Sequence, residues 1–129
     1  MKIEHLAIWV KDLEVMKAFY EKYFEGKAGK KYINEKKQFT SYFITFSEGS
    51  RLELMHKPQV AALIQDPTIE HLGLAHFAIS VGSKDKVDQL TQKLSSDAYT
   101  ILGHPRTTGD GYYESLILDP ENNRIEITI

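Results

Sequence analysis

His5-Leu6-Ala7-Ile8-Trp9-Val10 recurs, 71 residues on, as His76-Phe77-Ala78-Ile79-Ser80-Val81. A second match follows at an offset of 73: Arg51-Leu52-Glu53-Leu54 with Arg124-Ile125-Glu126-Ile127. Two matched pairs at nearly one spacing mark two modules, about 1–57 and 72–129, joined by a connector over 58–71. The connector holds Pro58 and Pro67 and predicts a helical turn from Val60 to Ile64.

Each module reads as βαβββ. The first opens on an alternating strand, Ile3 to Val10. Asp12 then caps a helix with Leu13, Met16, Phe19, Tyr20 and Tyr23 on one face, and Gly26 and Gly29 punctuate its end. Extended stretches follow near Lys27 to Ile33, Gln38 to Phe46 and Ser50 to His56. The second module opens with Leu74 to Val81. Ser83 caps a helix with Val87, Leu90 and Leu94 inward, and strands are expected near Tyr99 to Leu102, Tyr113 to Leu118 and Arg124 to Ile129. Asp119-Pro120-Glu121-Asn122-Asn123 is a turn cluster. One such module buries little apolar surface, whereas two placed side by side, or exchanged between subunits, share a core. The expectation is a single α+β domain over 1–129, its two modules forming a curled mixed sheet around a metal cleft.

Composition narrows the function. The 129 residues are 42% hydrophobic and 26% charged, ordinary for a globular chain, and the net charge of −2 offers no basic field for nucleic acid or an anionic membrane. The lysines between Lys27 and Lys37 are interleaved with acidic residues and read as a solvated hairpin. No apolar run approaches the roughly 18 residues of a membrane span, and no signal region opens the chain, so the default expectation is cytoplasmic. There is no cysteine, so any metal must be held by imidazole and carboxylate.

Strand parity assigns the faces. Leu6, Ile8 and Val10 pack toward the helix while His5, Ala7 and Trp9 point away. Leu52 and Leu54 pack, and Arg51, Glu53 and Met55 do not. In the second module His76, Ala78 and Ser80 oppose Phe77, Ile79 and Val81, and Arg124, Glu126 and Thr128 oppose Ile125, Ile127 and Ile129. His5, Glu53, His76 and Glu126 therefore share the non-core face at repeat-equivalent positions. Two imidazoles and two carboxylates suit one divalent ion such as nickel, cobalt, zinc, iron or manganese, with positions left for water and substrate. Trp9, Met55, Ala78 and Ser80 are candidates to line a pocket, and Arg51 and Arg124 to bind an anionic substrate or orient the carboxylates. Thr107 to Tyr112 reads as either a flap or an ordinary hairpin loop. His56, His71 and His104 have no repeat partner.

These motifs resemble the vicinal oxygen chelate superfamily, which includes glyoxalase I, extradiol dioxygenases and the bleomycin resistance proteins. The resemblance covers nearly the whole chain. It rests on the two His-led strands, Ala18-Phe19-Tyr20, Leu52-Glu53-Leu54, Gly73-Leu74-Ala75-His76-Phe77-Ala78 and Asp119 to Glu126. It implies paired βαβββ modules around a metal, often across a dimer interface, and hence a homodimer. It also implies His5, Glu53, His76 and Glu126 as ligands in the glyoxalase I order. Glu126 is then first choice as the proton acceptor, and Glu53 second. The implied activity is a lactoylglutathione-lyase-like isomerisation of a small substrate with adjacent oxygens, through an enediolate. Extradiol dioxygenases need only His, His and Glu, so Glu53 favours lyase or isomerase chemistry. The alternatives are that ring-cleaving dioxygenase and a non-catalytic binding or resistance protein. Trp9 stands where glutathione-dependent bacterial enzymes carry arginine, Lys57 lies near their asparagine, and Ala75 replaces their glycine. A different thiol, or a different substrate altogether, is therefore open.

Overall fold

The computed structural model describes residues 1–62 and 65–129. The chain divides into two compact units, residues 1–63 and 64–129. The first contains β1 (His5–Trp9), α1 (Leu13–Phe24), β2 (Lys27–Ala28), β3 (Tyr32–Asn34), β4 (Phe39–Thr45) and β5 (Arg51–His56). The second contains β6 (Phe77–Ser80), α2 (Lys84–Ser96), β7 (Ile101–Thr107), β8 (Tyr113–Leu118) and β9 (Arg124–Thr128). Sheet order is β1-β5-β4-β2 in one, with β3 also on β4, and β6-β9-β8-β7 in the other. In both, the opening and closing strands pair in parallel and the remaining pairs are antiparallel. Each unit thus follows the βαβββ pattern, curled and not closed; in the first, the strand after α1 is split into β2 and β3, and a short 3-10 helix spans Glu35–Lys37.

The sequence dictates the helices. Asp12 accepts hydrogen bonds from the backbone N–H groups of Glu14 and Val15, and α1 then buries Leu13, Met16, Phe19, Tyr20 and Tyr23. Burying this face with Ile8, Ile44, Leu52 and Leu54 takes the unit's core apolar side chains out of water, the main favourable term in its folding. The helix ends on Glu25, which takes the left-handed conformation (φ 54°), and not on a glycine. Gly26 serves close approach instead. A Cβ there would stand 2.6 Å from the Ile44 side chain.

Ser83 caps α2, which buries Val87, Thr91 and Leu94, whereas Leu90 is half-buried. Thr91 is an addition to the expected stripe. Its hydroxyl donates to the Val87 carbonyl at 2.7 Å and meets the Ser115 hydroxyl at 2.6 Å, and both side chains are buried. Because Thr91 is committed as donor to Val87, Ser115 donates to Thr91. Thr91→Val keeps the volume and removes the acceptor of the buried Ser115 hydroxyl, so it should destabilise the protein by about 1–3 kcal/mol. Urea denaturation measures this as a lower midpoint at unchanged m-value.

Three expectations are corrected. The stretch from Lys27 to Ile33 is two short strands, β2 and β3, each pairing with β4. The expected strand from Tyr99 to Leu102 runs instead from Ile101 to Thr107, with register shifts between Gly103 and Arg106. Pro105 is tolerated there because β7 is an edge strand. Val60 to Ala62 carry no helix, and the Val60 N–H closes a turn on the Lys57 carbonyl. The rest of that expected turn, Leu63 and Ile64, lies outside the described residues.

Candidate functional site

The side chains divide as parity requires except at Ile129, expected on the core face but 48% exposed because β9 ends at Thr128. In the first unit Ile8, Val10, Leu52 and Leu54 are buried, while His5, Ala7 and Trp9 are exposed and Arg51, Glu53 and Met55 intermediate. In the second, Ile125 and Ile127 are fully buried, Phe77 and Ile79 are intermediate, and Ala78 and Ser80 are exposed. His76 stands one residue before β6, although it was expected inside the strand.

Each unit brings one imidazole to one carboxylate. His5 Nε2 lies 3.8 Å from Glu53 Oε2. His76 Nε2 lies 3.2 Å from Glu126 Oε2. The cause is register. Ala7 pairs with Glu53 across the parallel β1/β5 ladder, and Ala78 with Glu126 across β6/β9. Alanine leaves room above the sheet, and the histidine two residues earlier reaches the same spot.

The donor chemistry fits a divalent ion. Nitrogen and oxygen donors bound to one ion at about 2.0–2.2 Å stand roughly 3–3.5 Å apart, which the second pair matches and the first exceeds slightly. In the first unit Glu4 Oε2 meets His5 Nδ1 at 2.5 Å, occupying the nitrogen that faces away from Glu53. A carboxylate on the second ring nitrogen fixes the imidazole and raises its basicity as a ligand. Among the described residues, no group of three or more His, Asp or Glu side chains stands ready to hold an ion. Each pair is therefore two donors and no more.

Electrostatics distinguish the carboxylates. Burial, repulsion by the Glu114 carboxylate and a hydrogen bond that protonated Glu126 donates to Glu114 hold Glu126 above the usual carboxylate range, with His76 opposing. Hydrogen bonds from His5 and then Arg51 hold Glu4 below that range.

Glu4 and Glu114 were absent from the sequence reading. Glu114 had a signal there: Ser115 and Ile117 are buried, so Glu114 and Leu116 share the face of Glu126 across β8/β9. Arg106 Nη2 lies 3.7 Å from Glu114.

The arginines proposed for substrate have other partners. Arg51 bonds Glu4 and lies over the Phe43 ring, 4.1 Å from its centroid. Arg124 donates to the Pro67 and Ile69 carbonyls at 3.0 Å each, tying the connector to β9. This contact roofs a cleft of about 650 Å³ lined by Thr68, Ile69, Glu70, Leu102, Leu116 and Arg124. Leu116 is the cross-strand neighbour of Glu126, so the cleft adjoins that carboxylate. The loop after β7 is a closed hairpin. Thr108 N–H bonds the Tyr112 carbonyl at 2.8 Å, and Gly111 N–H bonds Thr108 at 3.0 Å.

A family model, Glyoxalase/Bleomycin resistance protein/Dioxygenase superfamily, matches residues 2–127. The chain belongs to that superfamily. An uncharacterized protein of Bacillus subtilis, YqjT, is 29% identical over 134 residues, covering 97% of this chain and 96% of that one. Among solved structures, a glyoxylase/bleomycin resistance protein/dioxygenase domain from Frankia superposes with TM-score 0.82 at 17% identity, covering 100% of this chain and 97% of that one. The trypanothione-dependent glyoxalase I of Leishmania major superposes with TM-score 0.77 at 21% identity, covering 99% and 86%. At these identities the superpositions establish the superfamily fold. Among the described residues no helix is long and apolar enough to cross a membrane.

Proposed function

We propose that this superfamily member is a metal-dependent lyase or isomerase of the glyoxalase I type. It would act on a small substrate carrying two adjacent oxygens. The observation that carries the reading is the repeated His/Glu pair, present once per unit on the face opposite the core. Two donors are too few to hold an ion firmly, and His5, Glu53, His76 and Glu126 together make a full set of neutral imidazoles and charge-balancing carboxylates. A bound ion of this kind supplies a Lewis acid for the substrate's two oxygens.

The chain's own residues then have distinct tasks. His5 and His76 position. Glu4 holds the His5 ring through Nδ1. Glu126 accepts the carbon-bound proton beside the carbonyl, the role the superfamily resemblance implies; burial and the Glu114 carboxylate raise its proton affinity in the metal-free protein. Glu53, half-buried, remains a ligand and the second candidate base. Pairing of two chains belongs to the same proposal, as the superfamily resemblance implies.

The test loads purified protein with nickel, cobalt, zinc, iron(II) or manganese in turn and measures stoichiometry and sedimentation. Each loaded form is then assayed with methylglyoxal and a panel of thiols. One ion per chain and isomerisation of at least one hemithioacetal are expected. Cleavage of catechols with iron(II) and oxygen, without isomerisation, would replace this reading by a dioxygenase. Ligand binding without turnover would replace it by a binding protein.

A further inference from the structure

The face of the first unit that carries His5 and Glu53 continues along the same strands into an aromatic floor. Trp9 lies on the His5 face of β1 and pairs with Met55, two residues beyond Glu53 on β5. At about 3.3 Å per residue, that rank stands roughly 7 Å along the sheet from Glu53. The Trp9 ring meets Phe39 edge-on at 6.0 Å and 87°, and Phe39 meets Tyr32 at 6.0 Å and 59°. The three rings hold one another in place, yet Trp9 is 46% and Tyr32 54% exposed. Fixed rings with open faces are costly to leave in water and need no reorganisation to receive a flat apolar group. Ser41, on the same face beside Phe39, is buried at 2%, so no exposed hydroxyl interrupts the floor there.

Arg51, at the Glu53 end of the face, is bonded to Glu4 and stacked on Phe43, so an anionic substituent arriving beside Glu53 would have to displace Glu4 to reach it. At the far end Lys57 follows His56, the partner of Thr40, and falls beside Phe39. Between the two cations the floor itself offers aromatic faces only.

We propose that the Trp9–Phe39–Tyr32 cluster is a specificity site for an aromatic substituent, carried by a substrate whose adjacent oxygens lie at the His5/Glu53 pair. This rests on the metal reading given above. It narrows the substrate to an aryl-bearing compound and assigns Trp9 the stacking face, Phe39 the support behind it and Tyr32 the far wall.

Trp9 is the chain's single tryptophan, so its fluorescence reports this spot alone. The probes are benzohydroxamate and acetohydroxamate. Both present adjacent oxygens, and they differ by phenyl for methyl. With nickel-loaded protein, benzohydroxamate should quench Trp9 and bind about tenfold tighter or more. Phe39→Leu and Trp9→Ala, read by calorimetry, should cut that preference below about threefold and leave acetohydroxamate within about twofold. Equal affinity for the two probes in the natural sequence would overturn the proposal while leaving the metal reading intact. If nickel does not bind, the metal reading falls by itself, and metal-free protein titrated with benzamide decides the matter. Saturable quenching that Phe39→Leu abolishes supports the aromatic site. Absence of saturable quenching overturns it.

Discussion

Glu126→Gln should lower turnover of the metal-loaded protein by about 100-fold or more, with metal affinity falling far less. The magnitude is that of a removed general base, commonly 10²–10⁴. Glutamine keeps the side-chain volume and one carbonyl oxygen, so a donor remains near His76, but its basicity is lost. The effect should fall on kcat more than on KM, because proton acceptance belongs to the transition state and not to substrate binding. Folding should survive. In metal-free protein the wild-type carboxylate sits above its usual range because of burial and Glu114. A carboxyl whose folded pKa is raised costs stability at pH values above its unfolded pKa, so its removal relieves a penalty near neutrality. The comparison with Glu53→Gln assigns the base. If Glu53→Gln is the more damaging to kcat at matched metal occupancy, the roles assigned here are exchanged.

His76→Ala should weaken metal affinity by about 100-fold or more, since one of four proposed donors disappears from a bond set worth roughly 10–16 kcal/mol in comparable zinc sites. The side chain is 41% exposed and stands just outside β6, so no core cavity opens. The thermal midpoint of metal-free protein should therefore stay nearly unchanged, as for most surface substitutions. Calorimetric titration with zinc and nickel measures the loss, and undiminished binding would reject the ligand assignment. His5→Ala makes an instructive companion. It removes a donor and also breaks the Glu4–His5 contact, leaving Glu4 bonded to Arg51. Similar losses in the two variants would mean that the two pairs serve one ion equally.

Much of this fold was legible because two signals agreed. The repeated His-led strand gave the module count, and parity placed Ile8, Leu54, Ile125 and Ile127 in the core and the four candidate donors opposite. What parity cannot reach is geometry set from elsewhere. Arg124 looked like a substrate residue beside Glu126, yet its side chain is engaged by carbonyls of Pro67 and Ile69, more than fifty residues away in sequence. Glu4 escaped notice because alternation along the expected Ile3 to Val10 strand put it on the Leu6 face, whereas β1 begins only at His5 and the contact of Glu4 with His5 depends on rotamers. The Ile101–Thr107 strand was misplaced because Gly103 and Pro105 read as breakers, and only an edge position with shifted register accommodates them. Glu25, left-handed where a glycine was expected, shows the converse. Crowding by Ile44 claimed the glycine for position 26.

Asp119 sets the register of all this from a distance. Its side chain accepts from the backbone N–H groups of Glu121 and Asn123 at 2.9 Å each, and from the Asn123 amide at 2.8 Å, while Asn122 takes a positive φ of 68°. These contacts fix where β9 begins, and one residue of slip would turn Glu126 into the core and Ile125 onto the open face. The tightness of a turn that touches no substrate thus governs which atoms reach the chemistry. Inheritance follows the same division. A lineage can exchange side chains on the open face, and with them its reaction, while the Asp119 turn and the buried isoleucines keep every new residue aimed at the same point.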